Sequence, residues 1–299
     1  MYGLGADARN ADAVRRIFAV KRRPSAHPLI VHIGSLSELS SVARQVPALA
    51  LRLAVRFWPG PLTLIVPRGE GVPLEVTGGQ ETVAVRVPQH PLALELLHRF
   101  GAGVAAPSAN RFGAVSPTRA EHVRQDLGDE VDLLLDGGPC EVGLESTIID
   151  VSRGYPQLLR PGGVPVEAIE AELGEAVVRD AEAAVRAPGQ LASHYATRAE
   201  LSVVAPGELE ARAATLLERG LRAAVLAPAG TAIPRVHESL FLPADPGGYA
   251  RALYESLRAL DDRGVDAILA IAPATHGLGL AVSDRLSRAA APRGDAPRD

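Results

Sequence analysis

The stretch from residue 82 to residue 110, TVAVRVPQHPLALELLHRFGAGVAAPSAN, decides the fold. Val83 to Val87 reads as a strand, Pro91 to Phe100 as a helix and Val104 to Ala106 as a second strand. Strand, helix and strand in so short a span are the unit of an α/β fold. Working outward, Leu29 to Ile33, Leu62 to Val66, Leu133 to Leu135, Thr147 to Val151 and Gln157 to Leu159 are further predicted strands. Ala11 to Val20, Ser37 to Gln45 and Thr118 to Leu127 carry helical spacing. Pro59-Gly60-Pro61, Gly78-Gly79, Gly137-Gly138-Pro139 and Pro161-Gly162-Gly163 fix the reversals between them.

The alternation runs to about residue 175 and then fades. Pro188-Gly189 interrupts what remains, so residues 180–199 are predicted to be a linker after a first domain over 1–179. A second α/β pattern follows over 200–290. Its strands are Leu201 to Val204, Ala223 to Ala227 and Ala267 to Ile271, and its helices are Glu208 to Arg219, Gly248 to Arg263 and Leu278 to Ala290. That length suffices for a small open parallel sheet. The proline- and charge-rich end, 291–299, is expected to be disordered.

Bulk properties narrow the function. The chain has 299 residues, 47% of them apolar, which is enough to fill two cores. A formal charge of −4 and a pI near 6.1 argue against bulk capture of nucleic acid and leave room for a local basic cleft. Cys140 is the single cysteine, which excludes an internal disulfide and a multi-cysteine metal site and suits a reducing cytoplasm. No apolar run reaches the roughly 18 residues needed to cross a bilayer, and no signal pattern opens the chain. A cytoplasmic protein, neither secreted nor membrane-embedded, is expected.

Chemistry concentrates at the loops. Lys21 is the only lysine, within Lys21-Arg22-Arg23-Pro24, while arginine supplies every other fixed cation. An ammonium and a guanidinium do different work on phosphates and carboxylates, so a lone lysine marks a candidate anion site. A solvated basic loop is the alternative for that run. Thr82 and Arg86 share one strand face, and Arg86, between Val85 and Val87, requires a partner such as a ligand carboxylate or an internal Glu. Ala106 to Asn110 ends a strand in small and polar residues that admit a ligand to the backbone, with Ser108 and Asn110 offering hydrogen bonds. Ser116-Pro117-Thr118 opens a helix, Glu145-Ser146-Thr147 leads into a strand, and Arg160 ends one. There is no Walker loop, no Gly-x-Gly-x-x-Gly after a strand, no zinc-ligand spacing and no Gly-x-Ser-x-Gly elbow.

Tyr2 to Ala8, the Lys21 loop with Pro28 to His32, Phe57 to Thr63, Val85 to Pro88, Ala106 to Asn110 with Ser116 to Thr118, Glu145 to Asp150 and Leu159 to Gly162 together resemble the L-threonylcarbamoyladenylate synthases. Pro188-Gly189, His194, Tyr195 and the second α/β unit resemble the two-domain branch of that family. The resemblance implies a YrdC-like twisted mixed sheet around a concave cleft, plus a small Rossmann-like C-terminal domain. It also implies a nucleotidyltransferase that forms threonylcarbamoyl-AMP and pyrophosphate from L-threonine, bicarbonate and ATP with Mg2+. The product would feed a separate tRNA threonylcarbamoyltransferase. Direct contact with tRNA is left open. By motif, Lys21 and Arg23 would be catalytic phosphate holders, and His27, Thr82, Ser108, Ser116, Arg160 and Tyr195 would complete the ATP site. His32, Arg86, Ala106 and Ser146 would line the L-threonine pocket, with no protein-held metal.

Three departures from the family pattern stand out. Arg22 replaces its usual glycine, and His27 its usual asparagine. The family carries a strand, a helix and a Pro-Thr-Glu-Thr-Val segment before its Tyr-Gly-Leu-Gly, and Met1 stands in the slot of that valine, so a misassigned start codon and a missing N-terminal strand and helix are expected. Two other functions fit the same residues less well. Carbamoyl adenylation would bring zinc-finger and acylphosphatase-like regions, and an RNA-binding module would bring aromatic-basic platforms.

Overall fold

The computed structural model describes residues 1–179, 185–191 and 193–292. Among these, two sheets form. The first has seven strands: β1 (Ala6–Asp7), β2 (Ile30–His32), β3 (Leu62–Pro67), β4 (Thr82–Arg86), β5 (Val104–Ala105), β6 (Thr147–Asp150) and β7 (Gln157–Arg160). Their order is β1-β5-β2-β4-β3-β6-β7, with β2·β4 and β3·β6 parallel and the other pairs antiparallel. It is a mixed sheet, as the resemblance implied.

Side-chain alternation gives this sheet two unlike faces. Val31, Ile33, Leu62, Leu64, Val66, Val83, Val85, Val87 and Ile149 point to one side and form the main core. The helices Ala11–Lys21, Ala48–Phe57 and Val166–Leu173 cover that side through Val14, Ile17, Leu53, Ala54 and Ile169. The residues between them, including Ile30, His32, Thr63, Ile65, Thr82, Ala84, Arg86, Ser146 and Ile148, point to the other side. Val185 and Ala187 of the linker cover part of this second face, joining Ile30, Ile65, Ala84, Ile148 and Leu159 in a small buried cluster that contains no helix residue.

The second sheet contains β8 (Glu200–Val203), β9 (Ala223–Pro228), β10 (Glu238–Leu242) and β11 (Ala267–Ala270), ordered β10-β9-β11-β8 and parallel throughout. The helix Pro246–Asp262 buries Tyr249, Leu253, Tyr254, Leu257 and Leu260 against it and against the first domain. The helix Gly279–Ala290 lies beside it.

Several sequence expectations need correction. Leu133 to Leu135 forms no strand: Leu134 packs against the satellite cluster of Val20, Ala109, Val123 and Leu127, and Leu133 faces solvent. Without a neighbour to ladder with, an apolar run stays irregular. The helix predicted over Ser37 to Gln45 breaks into a 3-10 turn, Leu36–Glu38, and a single turn, Leu39–Val42. Ala43 turns extended there to bridge Arg68. The helices Ala48–Phe57, Leu74–Thr77 and Val166–Leu173 and strand β10 were not anticipated. Residues 180–184 and 192 of the predicted linker, and 293–299 of the predicted tail, lie outside the described residues. The described linker is packed chain: Ala196 bridges Ala114, and Tyr195 is buried.

Candidate active site

The basic loop gets its shape from a helix end. Asn10 caps the helix Ala11–Lys21 by accepting from the amides of Asp12 and Ala13, at 3.0 and 3.2 Å. At the other end the Arg22 amide donates to Ala19 O and the Arg23 amide to Phe18 O, which is the Schellman arrangement. That arrangement places Arg22 at φ +52°, in the left-handed region that favours glycine. The departure from the family glycine therefore has a measurable consequence. Arg22→Gly is expected to stabilise the fold by about 0.5–1 kcal/mol, read as a raised guanidinium midpoint at constant slope.

The same turn directs Lys21 and Arg23 inward. Lys21 is 1% exposed, and its ammonium donates to the carbonyls of Ser108, at 2.6 Å, and Asn110. The helix end is thereby tied to the loop after β5. Burial, with Arg23 adding its charge, lowers Lys21 to about 7. Arg23 lies over the Phe112 ring and donates to Pro28 O at 3.0 Å, while its Nε is buried without a partner. His27 leans on the same ring at 5.4 Å, half-buried, and burial lowers its pKa.

Strand register assembles a second group. β2 pairs with β4 so that His32 lies beside Arg86, and β6 runs beside β3 so that Ser146 reaches Thr63 at 2.7 Å between hydroxyl oxygens. Arg86 Nε donates to Gly60 O at 2.8 Å. Arg160, at the end of β7, donates through Nη2 and Nε to Ser146 O at 2.8 and 3.2 Å, and through Nη1 to Pro188 O of the linker at 3.0 Å. Burial and the Arg86 charge keep His32 neutral, at about 3. Its Nδ1 has no hydrogen-bond partner.

The three guanidiniums share one electrostatic peculiarity. Arg23, Arg86 and Arg160 donate to neutral carbonyls and, among the described residues, have no carboxylate within ion-pair distance. Burial, with the Arg160 charge adding to it, lowers Arg23 and Arg86 to about 10 each. Burial lowers Arg160 as well. All remain charged at neutral pH. Desolvating a cation without a contacting carboxylate costs several kcal/mol, so Arg23 and Arg86 are complementary to an anion that the described residues do not supply, while Arg160 also feels the Glu145 charge.

The linker packs beside Arg160, which donates to Pro188 O. Tyr195 is 1% exposed and sits at φ +62°, a strained conformation for a bulky residue. Packing holds it there: its ring lies 4.1 Å from His194 and 5.7 Å from Tyr254, with the Arg285 guanidinium 5.1 Å from its centroid. Behind it, Glu145 is 8% exposed and accepts from Ser116 Oγ at 2.9 Å, Tyr254 OH at 2.9 Å and Arg285 Nε at 2.7 Å. Burial alone would raise the Glu145 carboxyl, but the Arg285 and Arg160 charges together outweigh it and hold the pKa at about 2.

Most of the expected positions share the second face of the sheet and its rim. His32, Arg86, Ser146 and Thr82 lie on the face, with Ala106 at its edge, where its amide donates to Ile30 O. Thr82 and Arg86 occupy opposite ends of β4, about 13 Å apart along the strand. Lys21, Arg23, His27 and Ser108 form the rim on the β2 and β5 side, and Arg160 and Tyr195 the rim on the β7 side. Ser116 is the exception: it is wholly buried with its hydroxyl on Glu145. Tyr254 and Arg285 escaped sequence reasoning. For Arg285 a signal existed, because it interrupts the apolar stripe of Ala281, Val282, Leu286 and Ala289 at helical spacing.

Residues 1–162 match the family model of the Sua5, YciO and YrdC proteins, described as Telomere recombination. Residues 164–291 match the model of the threonylcarbamoyl-AMP synthase C-terminal domain. The chain belongs to the Sua5 family of threonylcarbamoyl-AMP synthases. A Sua5-family relative, the threonylcarbamoyl-AMP synthase of Pyrococcus abyssi, is 43% identical over 97% of this chain and 87% of its own length. That of Bacillus subtilis is 41% identical over 98% and 88%. The crystal structure of P. abyssi Sua5 complexed with L-threonine aligns with a TM-score of 0.91 at 42% identity, covering 96% of this chain and 87% of the other. Both Sua5 domains, and their arrangement, are therefore represented in the alignment.

Proposed function

We propose that the chain is an L-threonylcarbamoyladenylate synthase, a nucleotidyltransferase of tRNA processing that acts in the cytoplasm. The observation that carries this is the group of desolvated cations, Lys21, Arg23, Arg160 and Arg86, whose three guanidiniums hydrogen-bond neutral carbonyls and touch no carboxylate among the described residues. A triphosphate and an amino-acid carboxylate would supply the missing negative charge. Among the described residues no helix is long and apolar enough to cross a membrane.

The chemistry follows from that field. The amine of L-threonine adds to bicarbonate-derived CO2 to give a carbamate, and a carbamate oxygen then attacks the α-phosphorus of ATP. The α–β phosphoanhydride bond breaks, and pyrophosphate leaves. Arg86 holds the threonine carboxylate beside neutral His32 and Ser146, while Lys21, Arg23 and Arg160 face the phosphates, with His27, Thr82 and Ser108 toward the nucleotide and Ser116 behind them on Glu145. Fixed cations favour the transition state over the ground state because charge grows on the departing pyrophosphate. Buried Tyr195 excludes water from the carbamate and the mixed anhydride. Among the described residues no three His, Cys, Asp or Glu side chains cluster to hold a metal. A cleft lined by cations and hydroxyls suits Mg2+ carried by the triphosphate, where it would neutralise phosphate charge. The labile product suits direct consumption by a tRNA-modifying transferase.

The test is pyrophosphate release from ATP in bicarbonate buffer, with and without L-threonine. Release that requires threonine and matches threonylcarbamoyl-AMP formation is expected. Threonine-independent turnover, or salt-sensitive RNA binding without turnover, would overturn the proposal.

A further inference from the structure

The second domain holds a side chain that touches the neighbours of Ser146 and Arg160 and the ring of Tyr195. Arg285, on the helix Gly279–Ala290, has a side chain that is 0% exposed. Its Nε donates to Glu145 Oε2 at 2.7 Å, the residue before Ser146. Its Nη2 donates to Pro161 O at 3.0 Å, the residue after Arg160. Its guanidinium plane lies against Tyr195, and Nη1 is held by Asp284. Ser146 and Arg160 are themselves joined, at 2.8 Å to the Ser146 carbonyl and 3.2 Å to its hydroxyl. One planar fork thus fixes the chain on both sides of that contact and supports the strained residue above it.

We propose that Arg285 is a positioning residue for the adenylating site, locking the Ser146–Arg160 contact and the Tyr195 ring into one arrangement. This rests on the synthase function proposed above. The second domain then acts as a docked brace. Tyr254 donates to Glu145, Glu255 accepts from Thr118 at 3.0 Å, and Arg258 pairs with Asp126 and donates to Val115 O, so the domain is tied down by three further side chains of one helix. Rigid support of this kind matters because misplacement by about 1 Å can cost roughly 100-fold in rate.

Two full-length variants test it. Arg285→Lys keeps the charge opposite Glu145 and loses the fork to Pro161 and the flat face under Tyr195. Glu145→Gln/Arg285→Gln removes both members of the buried pair, Asp284 keeps Arg288 as its partner and Arg160 keeps its bonds to Ser146, so the fold is retained. Kinetic constants for ATP and threonine are measured beside hydrogen exchange of residues 193–197 and of the helix Ala48–Phe57. Expected are a rise of at least tenfold in KM for threonine or ATP, faster exchange at 193–197 and unchanged exchange in the helix. Wild-type KM with wild-type exchange at 193–197 would overturn the proposal. So would uniformly faster exchange with a loss confined to kcat, or failure of both variants to fold, since each outcome describes a purely structural brace. If wild type shows no threonine-dependent turnover, the synthase function falls, and exchange at 193–197 still judges Arg285.

Discussion

An Arg86→Met variant is expected to lose about two to three orders of magnitude in kcat/KM for threonine while its unliganded fold melts at or above the wild-type midpoint. The two effects have one origin. Arg86 carries a desolvated charge whose hydrogen-bond partner is a neutral carbonyl, Gly60 O, so without substrate its cost is not offset. A methionine of similar length removes that cost, at the expense of one hydrogen bond of about 1 kcal/mol. With substrate present, the same charge is proposed to meet a carboxylate. Removing one partner of such a contact costs about 2–5 kcal/mol, and each 1.4 kcal/mol is roughly a factor of ten. Threonine should raise the wild-type melting midpoint by mass action and leave that of the variant unmoved. Unchanged KM in the variant, or a collapsed fold, would remove Arg86 from the site.

The sequence showed the sheet better than the cleft, for a physical reason. Val83, Val85 and Val87 alternate with Thr82, Ala84 and Arg86, and that period alone separates a core face from a second face. Strands near Leu29, Leu62, Val83, Val104, Thr147 and Gln157 were legible because each is a run of β-branched or apolar residues between turn signals. Leu133 to Leu135 looks the same by composition and failed because pairing, which depends on a neighbour, is not written in the run itself. Convergence of Lys21 and Arg23 with Arg86 and Arg160 depends on register between distant strands, so spacing could nominate these cations and could not join them. Glu145, Tyr254 and Arg285 belong to two domains and meet only after docking. The loss of periodicity in 180–199 predicted a linker without naming what it packs on, and Tyr195 is buried between aromatic rings and an arginine. A segment without regular structure can still be packed when its partners are side chains.

Lys21→Met is expected to abolish most activity, by about two to three orders of magnitude on the same contact energies, and its effect on stability should change with pH. Burial holds the wild-type ammonium at about 7 in the folded chain against an ordinary 10.5. Below pH 7 both folded and unfolded chains carry the proton, and the cost of burying it is fully present. Between 7 and 10.5 the unfolded chain binds a proton that the folded chain does not, so raising the pH stabilises the wild type, by at most about 1.4 kcal/mol per unit. The wild type should therefore gain on Lys21→Met by about 2 kcal/mol between pH 7 and pH 9, measured by denaturant unfolding. A pH-independent difference would mean that the ammonium is not desolvated. Arginine should not substitute, because the ammonium fits between two carbonyls, Ser108 O and Asn110 O, where a planar fork has no room. Binding of ATP near pH 8 should draw a proton back onto Lys21, since phosphate charge favours the ammonium that burial disfavours. Calorimetry in buffers of different ionisation enthalpy measures that uptake. Its loss in Lys21→Met would tie the one lysine of the chain to the anion, and its persistence would place the proton elsewhere.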